Sequence, residues 1–274
     1  MSKRKNATPE QVLAWIARGD GQGEFESYKP FFHVRDVPSQ GRSAIDLGIK
    51  TGRKQNYLSD MEYRFHVLSE YEVNVIDIRE QYACLPWEET QQIAYELGIK
   101  HPTYPGTTTP IVVTTDIVLT MQNSKFDIVP VSIKPSSEID LKNPKAKRTL
   151  EKLLIEKVYW KRRSKPWINC TEKMIPINRA KNLDFFRVTM QSRELDYLNP
   201  RLPELVTTFA AVWEPSLTLN QMLRALSDVM NLSKDEVFAL IGRAIWLHML
   251  PINLDSGTFD HELPLVLETV STSN

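Results

Sequence analysis

The sequence of 274 residues has two cysteines, Cys84 and Cys170, which lie far apart and form no CxxC pair. That excludes a disulfide framework and a cysteine-rich zinc module, and reads as two reduced thiols of a cytosolic chain. Histidine is equally sparse. The five residues His33, His66, His101, His248 and His261 are scattered, with no HExxH and no zinc-ligand spacing. There is no GxSxG, and neither cysteine has the setting of a nucleophile. Net charge is also missing. Thirty-four Lys and Arg balance thirty-four Asp and Glu, so any attraction to nucleic acid has to come from local patches. No run of about 18 apolar residues exists, which excludes a helical membrane span. The richest segment, "FALIGRAIWLHML", is shorter and carries Arg243. The start, "MSKRKNATPEQ", is basic but lacks a following apolar region, so it does not read as a signal peptide. Internal repeats and low-complexity tracts are absent.

What is present is an ordinary globular composition, 42% hydrophobic and 25% charged, on a chain long enough for one large domain or two modest ones. Thr8-Pro9-Glu10-Gln11 predicts a helix start, with a hydroxyl cap, proline at the first helical position and glutamine at the third. Gly19 is placed to end that helix. "GDGQG", residues 19 to 23, has the glycine density of a phosphate loop. It follows a helix rather than a strand and lacks the Lys-Ser/Thr, so a flexible linker is the alternative. Residues 42 to 58 read as a hairpin turning at Lys50-Thr51-Gly52. "SDMEYRFHVLSEY" follows as a helix with Met61, Phe65 and Leu68 in its apolar stripe. "VNVIDIREQ" predicts a strand and residues 88 to 97 a short helix. "TPIVVTTDIVLTM" and "FDIVPVSIKP" predict two strands joined at Asn123-Ser124-Lys125. Residues 145 to 164 predict an amphipathic helix with Leu150, Leu153, Leu154 and Val158 inward. "PWINCT" closes the series as a short strand. Strands with helices packed on them make a mixed α/β domain.

After about residue 172 the pattern turns helical, over 201 to 213, 217 to 230 and 234 to 248. Ser233-Lys-Asp-Glu236 is a capping box for the third of these. "LPINLDSGTFDHELPLVL" then predicts a hairpin turning at Asp255-Ser256-Gly257. Helices followed by a hairpin suggest a winged-helix-like module. The expected division is therefore 1–171 and 172–274.

The stretch "PVSIKPSSEID", residues 130 to 140, carries the chemical question. Val131 and Ile133 read as one buried strand face, yet Lys134 follows at once and Pro135 stops the ladder. An ammonium is costly to bury unless an anion meets it. Asp116 lies eighteen residues earlier, in the preceding strand, and an antiparallel hairpin brings the two together. Two readings are open: a plain ion pair, or a metal-binding carboxylate with a lysine that positions or activates water. Ser132 shares the strand face of Lys134.

An acid on one strand and a polar-x-Lys on the next resembles the PD-(D/E)xK nucleases, with "SIK" in place of the usual acid-x-Lys. Further segments follow in order: "YLSDMEYRF", "VIDIREQYACLP", "IKHP", "TTDIVLT", "VSIKPS" and "RTLEKLLIEKVYW…PW". Together they resemble the TnsA endonuclease family, over roughly residues 10 to 170. The resemblance implies a restriction-endonuclease-like catalytic domain with Glu62, Asp116 and Lys134 as its catalytic set. It implies Mg²⁺, replaceable by Mn²⁺, held by Glu62, Asp116, Ser132 and the carbonyl of Ile133. The family usually has glutamine where Ser132 stands, which puts a second metal position in question. It further implies cleavage of the 5′ strand at transposon ends beside a TnsB-type transposase. Docking to a TnsC-type AAA+ regulator is implied for the C-terminal part, in a bacterial, nucleoid-associated setting. A stand-alone restriction- or resolvase-like nuclease, and a non-enzymatic adaptor on the same fold, are the competing readings.

Bland roles compete at individual positions. Glu62 is also the third-position glutamate of a capping box that begins at Ser59. Asp77, Arg79 and Glu80 suit a structural ion-pair network. Glu156 reads as part of a solvated helix face and His66 as a helix-surface histidine, with a contact to the site as the alternative for each. Residues 142 to 165 hold ten Lys and Arg against two acids. Lys145, Lys147, Arg148, Lys161, Arg162, Arg163 and Lys165 cluster at the helix ends, where they can meet phosphates or simply be solvated. "DEVFALIGRAIWLHML" is too apolar for a recognition helix and suggests protein contact.

Overall fold

The computed structural model describes residues 6–36 and 43–268; the basic first five residues and Arg42, at the edge of the predicted hairpin, lie outside them. The chain divides into two compact units, 1–175 and 176–274.

In the first unit, helix α1 (Pro9–Ala17) starts at the Thr8 capping box, as its sequence predicts. Strands β1 (Ala44–Leu47) and β2 (Lys54–Tyr57) pair antiparallel as the predicted hairpin. Helix α2 (Asp60–Tyr71) leads into β3 (Val75–Ala83), α3 (Trp87–Glu96), β4 (Thr114–Met121) and β5 (Ile128–Ile133). A short helix α4 (Ser136–Ile139), the long α5 (Ala146–Arg162) and β6 (Ile168–Cys170) complete the unit. The sheet order is β3-β4-β5-β6. The first three strands are antiparallel, and β6 runs parallel to β5. This is the mixed α/β architecture of a restriction-endonuclease-like domain.

Alternation along the strands serves two layers. Ile78, Ile117, Leu119, Val131 and Ile133 pack with Met61, Phe65 and Leu68 of α2. Val118 packs with Ile155, Tyr159 and Trp160 of α5. Each such side chain taken from water contributes roughly 1.5–3 kcal/mol, which is what presses both helices onto the sheet. The α5 face differs from the predicted one. Leu153 is buried, but Leu154 is 40% exposed, and Glu156, Tyr159 and Trp160 point inward. The aromatics set that rotation. Tyr159 donates its hydroxyl to the Leu85 carbonyl (2.7 Å), and Trp160 donates Nε1 to Thr115 Oγ1 (2.8 Å).

The glycine-rich segment is neither a phosphate loop nor a flexible linker. The Gly21 amide donates to the Lys29 carbonyl (2.7 Å). A Cβ on Gly21, at φ +77°, would stand 2.3 Å from Ala83 Cβ, so this is a tight turn pressed on β3. The ion-pair network expected beside the sheet is formed. Arg53 grips Glu80 with both terminal nitrogens (2.9 and 2.7 Å). Asp77 accepts from the Phe25 amide, and Arg79 donates to Thr120.

The second unit contains α6 (Ile177–Gln191), a 3₁₀ stretch over Arg193–Arg201, α7 (Leu202–Val212), α8 (Leu219–Met230) and α9 (Lys234–Trp246). Helix α6 was not foreseen, because charged and apolar residues alternate along it without a clean stripe. Helix α9 begins at the predicted Ser233 capping box and is the centre of the unit, with Val237 and the run Ala239–Trp246 buried. Its Arg243 is consumed internally by Asp196, Asn199 and the Ser192 carbonyl. The predicted hairpin at Asp255-Ser256-Gly257 is not formed. Among the described residues, the segment after α9 pairs through single bridges, Ile252↔Leu267 and Thr218↔Pro264. The cause is Asn182, whose amide donates to the Leu254 and Gly257 carbonyls (2.8 and 2.5 Å). Its oxygen accepts from the Phe259 amide (2.7 Å), so the turn is fastened to α6 instead of closing a ladder.

Candidate functional site

The β4–β5 register places Asp116 and Lys134. Ile117 pairs with Val131, so one step further Ser132 faces Asp116 and Lys134 stands diagonal to it, within reach of a long side chain. Asp116 Oδ2 accepts from Lys134 Nζ (2.9 Å) and from the Ile133 amide (2.7 Å). The anion that meets the strand-ending lysine is therefore Asp116. Burial pulls the Lys134 pKa down, but the Asp116 charge and hydrogen bond, helped by Glu62 and Glu156, outweigh it and raise the pKa above the usual lysine value. Lys134 is thus a fixed cation that donates hydrogen bonds.

Glu62 reaches this pair from α2. The Ser59 hydroxyl accepts from the Glu62 amide (3.2 Å) and donates to Glu62 Oε1 (3.0 Å). The Leu58 amide donates to Oε2 (2.9 Å), and Gln81 Nε2 approaches the same oxygen (3.4 Å). Ser59 caps the helix as predicted, but the Glu62 carboxylate bonds the Leu58 amide and the Ser59 hydroxyl instead of the Ser59 amide, so the box is only half formed and those bonds aim the carboxylate. Burial, then the negative charge of Asp116, push the Glu62 pKa up from 4.5 to about 7, against the Leu58 hydrogen bond and the Lys134 charge. Four residues on, His66 is fully buried, not on the helix surface; it pairs with Glu70 (3.2 Å) and lies 4.6 Å from the Tyr57 ring.

Two readings are corrected beside Asp116. Ser132 is 1% exposed. Its hydroxyl donates to Glu156 Oε1 and accepts from Trp167 Nε1 (2.9 Å), so it is spent inside the protein rather than offered as a metal ligand. Glu156 does not lie on a solvated face. It is buried against Ser132, Trp167 (3.1 Å) and Thr115. Burial and the Asp116 charge raise its pKa from 4.5 to about 7. The signal was available in the sequence, since Leu153, Glu156 and Trp160 follow the spacing of one helix face.

Asp116, Lys134 and Glu156 open on a cleft of about 480 Å³, whose lining also takes in Leu58 and Gln81, the neighbours of Glu62, but not Glu62 itself. Asp116, Lys134, Glu138, Lys152 and Glu156 line its charged part, and Phe32, Tyr104, Ile111 and Val112 its apolar part. The basic residues of α5 split in two. At its C-terminal end Arg162 pairs with Glu96 (2.5 Å), Arg163 with Glu89 (2.6 Å) while stacking on Tyr159, and Lys165 with Asp127 (2.6 Å). Lys161 is exposed there. At the N-terminal end Arg148 pairs with Glu151 (2.9 Å), and Lys145 and Lys147 are exposed. Lys152 lines the cleft, its pKa lowered by burial and then by the neighbouring Arg148 and Lys134 charges.

Among the described residues, no three His, Cys, Asp or Glu side chains form a ready-made metal cage. The donor chemistry nonetheless fits a hard divalent cation. Two carboxylates and a backbone carbonyl are oxygen donors, and Mg²⁺ completes its shell with water. Asp116 directs both of its hydrogen bonds through Oδ2. The raised pKa values of Glu62 and Glu156 come from burial first and from the Asp116 charge second.

A mixed sheet between two helices, with an acid and a lysine on adjacent strands and a glutamate from the flanking helix, is the layout of a restriction-endonuclease-like nuclease domain. Residues 72–172 match the family described as TnsA-like endonuclease N terminal. The chain is also 38% identical over 176 residues to transposon Tn7 transposition protein TnsA of Escherichia coli. That alignment covers 64% of this chain and 62% of the relative, so it spans less than two thirds of the relative's length. Through this region the chain is similar to the TnsA-like endonuclease family. Among the described residues no helix is long and apolar enough to cross a membrane.

Proposed function

We propose that this protein is the metal-dependent DNA endonuclease subunit of a transposition machine. It cuts the 5′ strand at transposon ends, while a TnsB-type transposase cuts and joins the 3′ strand. The observation that carries the reading is the meeting of Asp116 and Lys134 on neighbouring strands, with Glu62 close enough to feel both charges. Hydrolysis joins a water oxygen to phosphorus and breaks one P–O ester bond, adding charge to a centre already anionic. Glu62, Asp116 and the Ile133 carbonyl would hold a divalent ion, which would supply Lewis-acid neutralisation of that charge. Lys134, fixed as a cation by Asp116, orients the attacking water and meets the phosphate oxygens. Glu156, held by Ser132 and Trp167, borders the Asp116 side of the cleft.

The exposed lysines Lys145 and Lys147, with Lys152 in the cleft, are the cations best placed to hold the DNA backbone, and nothing there suggests base readout. Target choice then falls to the transposase. The second unit, whose would-be recognition helix is buried, serves protein contact with a TnsC-type AAA+ regulator. The test is Lys134→Ala in an excision assay with the assembled complex. The nuclease reading expects assembly intact and 5′-strand cleavage lost. Normal excision by this variant would leave an adaptor.

A further inference from the structure

Gln81 stands within β3, two residues before its end, with φ +48°, a left-handed conformation that a non-glycine residue adopts at a cost. Its place is specific. Glu80 pairs with Ile117 and Tyr82 with Thr115, so Gln81 is the residue opposite Asp116. The register does not slip there, yet the side-chain alternation breaks. Ile78 packs in the layer of Ile117 and α2, whereas Tyr82, four residues on and due on the same face, packs with Val118 and Trp160 of the α5 layer. Three bonds hold Gln81 in this conformation. Its carbonyl accepts from the Phe31 amide (3.1 Å). Its Oε1 accepts from Thr114 Oγ1 (3.3 Å), and its Nε2 donates to Glu62 Oε2 (3.4 Å). The residue is 2% exposed and borders the cleft.

We propose that Gln81 is the positioning residue that ties the helix-borne Glu62 to the sheet-borne Asp116, so that both carboxylates address one divalent ion. The inference rests on the nuclease reading above. Glu62 arrives on a different element from Asp116 and Lys134, and a ligand pair drawn from two elements needs a strut between them. Gln81 is built as that strut. Its backbone belongs to the strand beside Asp116, its amide N–H reaches Glu62, and its amide oxygen accepts from Thr114, so a flip would set that oxygen against the Glu62 carboxylate and lose that bond. A regular strand conformation at this position would disturb that arrangement, which gives the strained backbone a purpose.

The experiment compares wild type with Gln81→Leu, which keeps the bulk but removes the amide, and Gln81→Gly, which suits the left-handed backbone but has no side chain. Mn²⁺ affinity is measured on the full-length chain without DNA. The kcat and KM for end cleavage are measured with the transposase partner, and folding is checked by thermal melting. Partners of metal ligands govern affinity by about 10- to 100-fold. Both variants are expected to lose Mn²⁺ affinity within that range and to lose kcat at elevated but sub-saturating metal, with KM for DNA unchanged. Wild-type Mn²⁺ affinity in Gln81→Leu, or in Gln81→Gly, would overturn the proposal, the second because the bend alone would then suffice. If the wild type bound no Mn²⁺ and Asp116→Ala cleaved normally, the nuclease reading itself would fall, an outcome distinct from failure at Gln81 alone.

Discussion

Glu62 and Glu156 are buried acids in a cluster with one lysine, and the pH dependence of folding follows from that. Both pKa values rise from 4.5 to about 7 on folding. Between those values the folded chain keeps protons that the unfolded chain has released. Stability of the metal-free protein therefore falls as pH rises from about 4.5 to about 7 and levels off above. The ceiling is on the order of 3 kcal/mol per group. Denaturant unfolding in a chelating buffer at pH 5 and pH 8 measures it. Glu62→Gln is expected to be more stable than wild type at pH 8 and equal to it at pH 5, while losing cleavage. Added Mg²⁺ is expected to stabilise the wild type more at pH 8 than at pH 5. A stability that rises between pH 5 and pH 8 in the chelating buffer would contradict this account of the cluster.

At the scale of elements, the sequence was legible where local chemistry and packing agree. Caps at Thr8, Ser59 and Ser233 lie where they were expected, and the Lys50-Thr51-Gly52 turn and the Asp116–Lys134 hairpin could be read from turn residues and alternation. It misled where a tertiary contact overrides local pattern. Tyr159 and Trp160 rotate α5, which exposes Leu154 and buries Glu156. Asn182 unmakes a hairpin whose turn residues were right for one. Gln81 was invisible, because nothing in "IREQY" announces a left-handed residue. Two predictions belong here. Gly21→Ala is expected to cost roughly 1–3 kcal/mol of stability through the clash with Ala83 and the strained φ, with metal affinity unchanged, as calorimetric melting and Mn²⁺ titration will show. Along α5, Lys145→Ala with Lys147→Ala is expected to flatten the salt dependence of DNA binding, reducing the log-log slope by about two. Arg163→Ala, which breaks the pair with Glu89, is expected to lower the melting temperature and leave that slope alone.

At the scale of the whole molecule, the candidate site belongs to one of the two units. The acids, Lys134 and the cleft all lie within residues 1–175, and the second unit spends its most apolar helix on its own core. Zero net charge and the internal pairing of Arg162, Arg163 and Lys165 leave the chain with a weak hold on DNA. On the proposed function, delivery to the substrate then falls to partners. The most direct measurement of the central claim is strand-resolved cleavage of transposon-end DNA in Mg²⁺. Purified chain and transposase are combined, and wild type is compared with Asp116→Ala. The account predicts a nick on the 5′ strand with wild type and none with Asp116→Ala, while 3′-strand cutting by the transposase is unaffected. An equal 5′ nick in both reactions would contradict it.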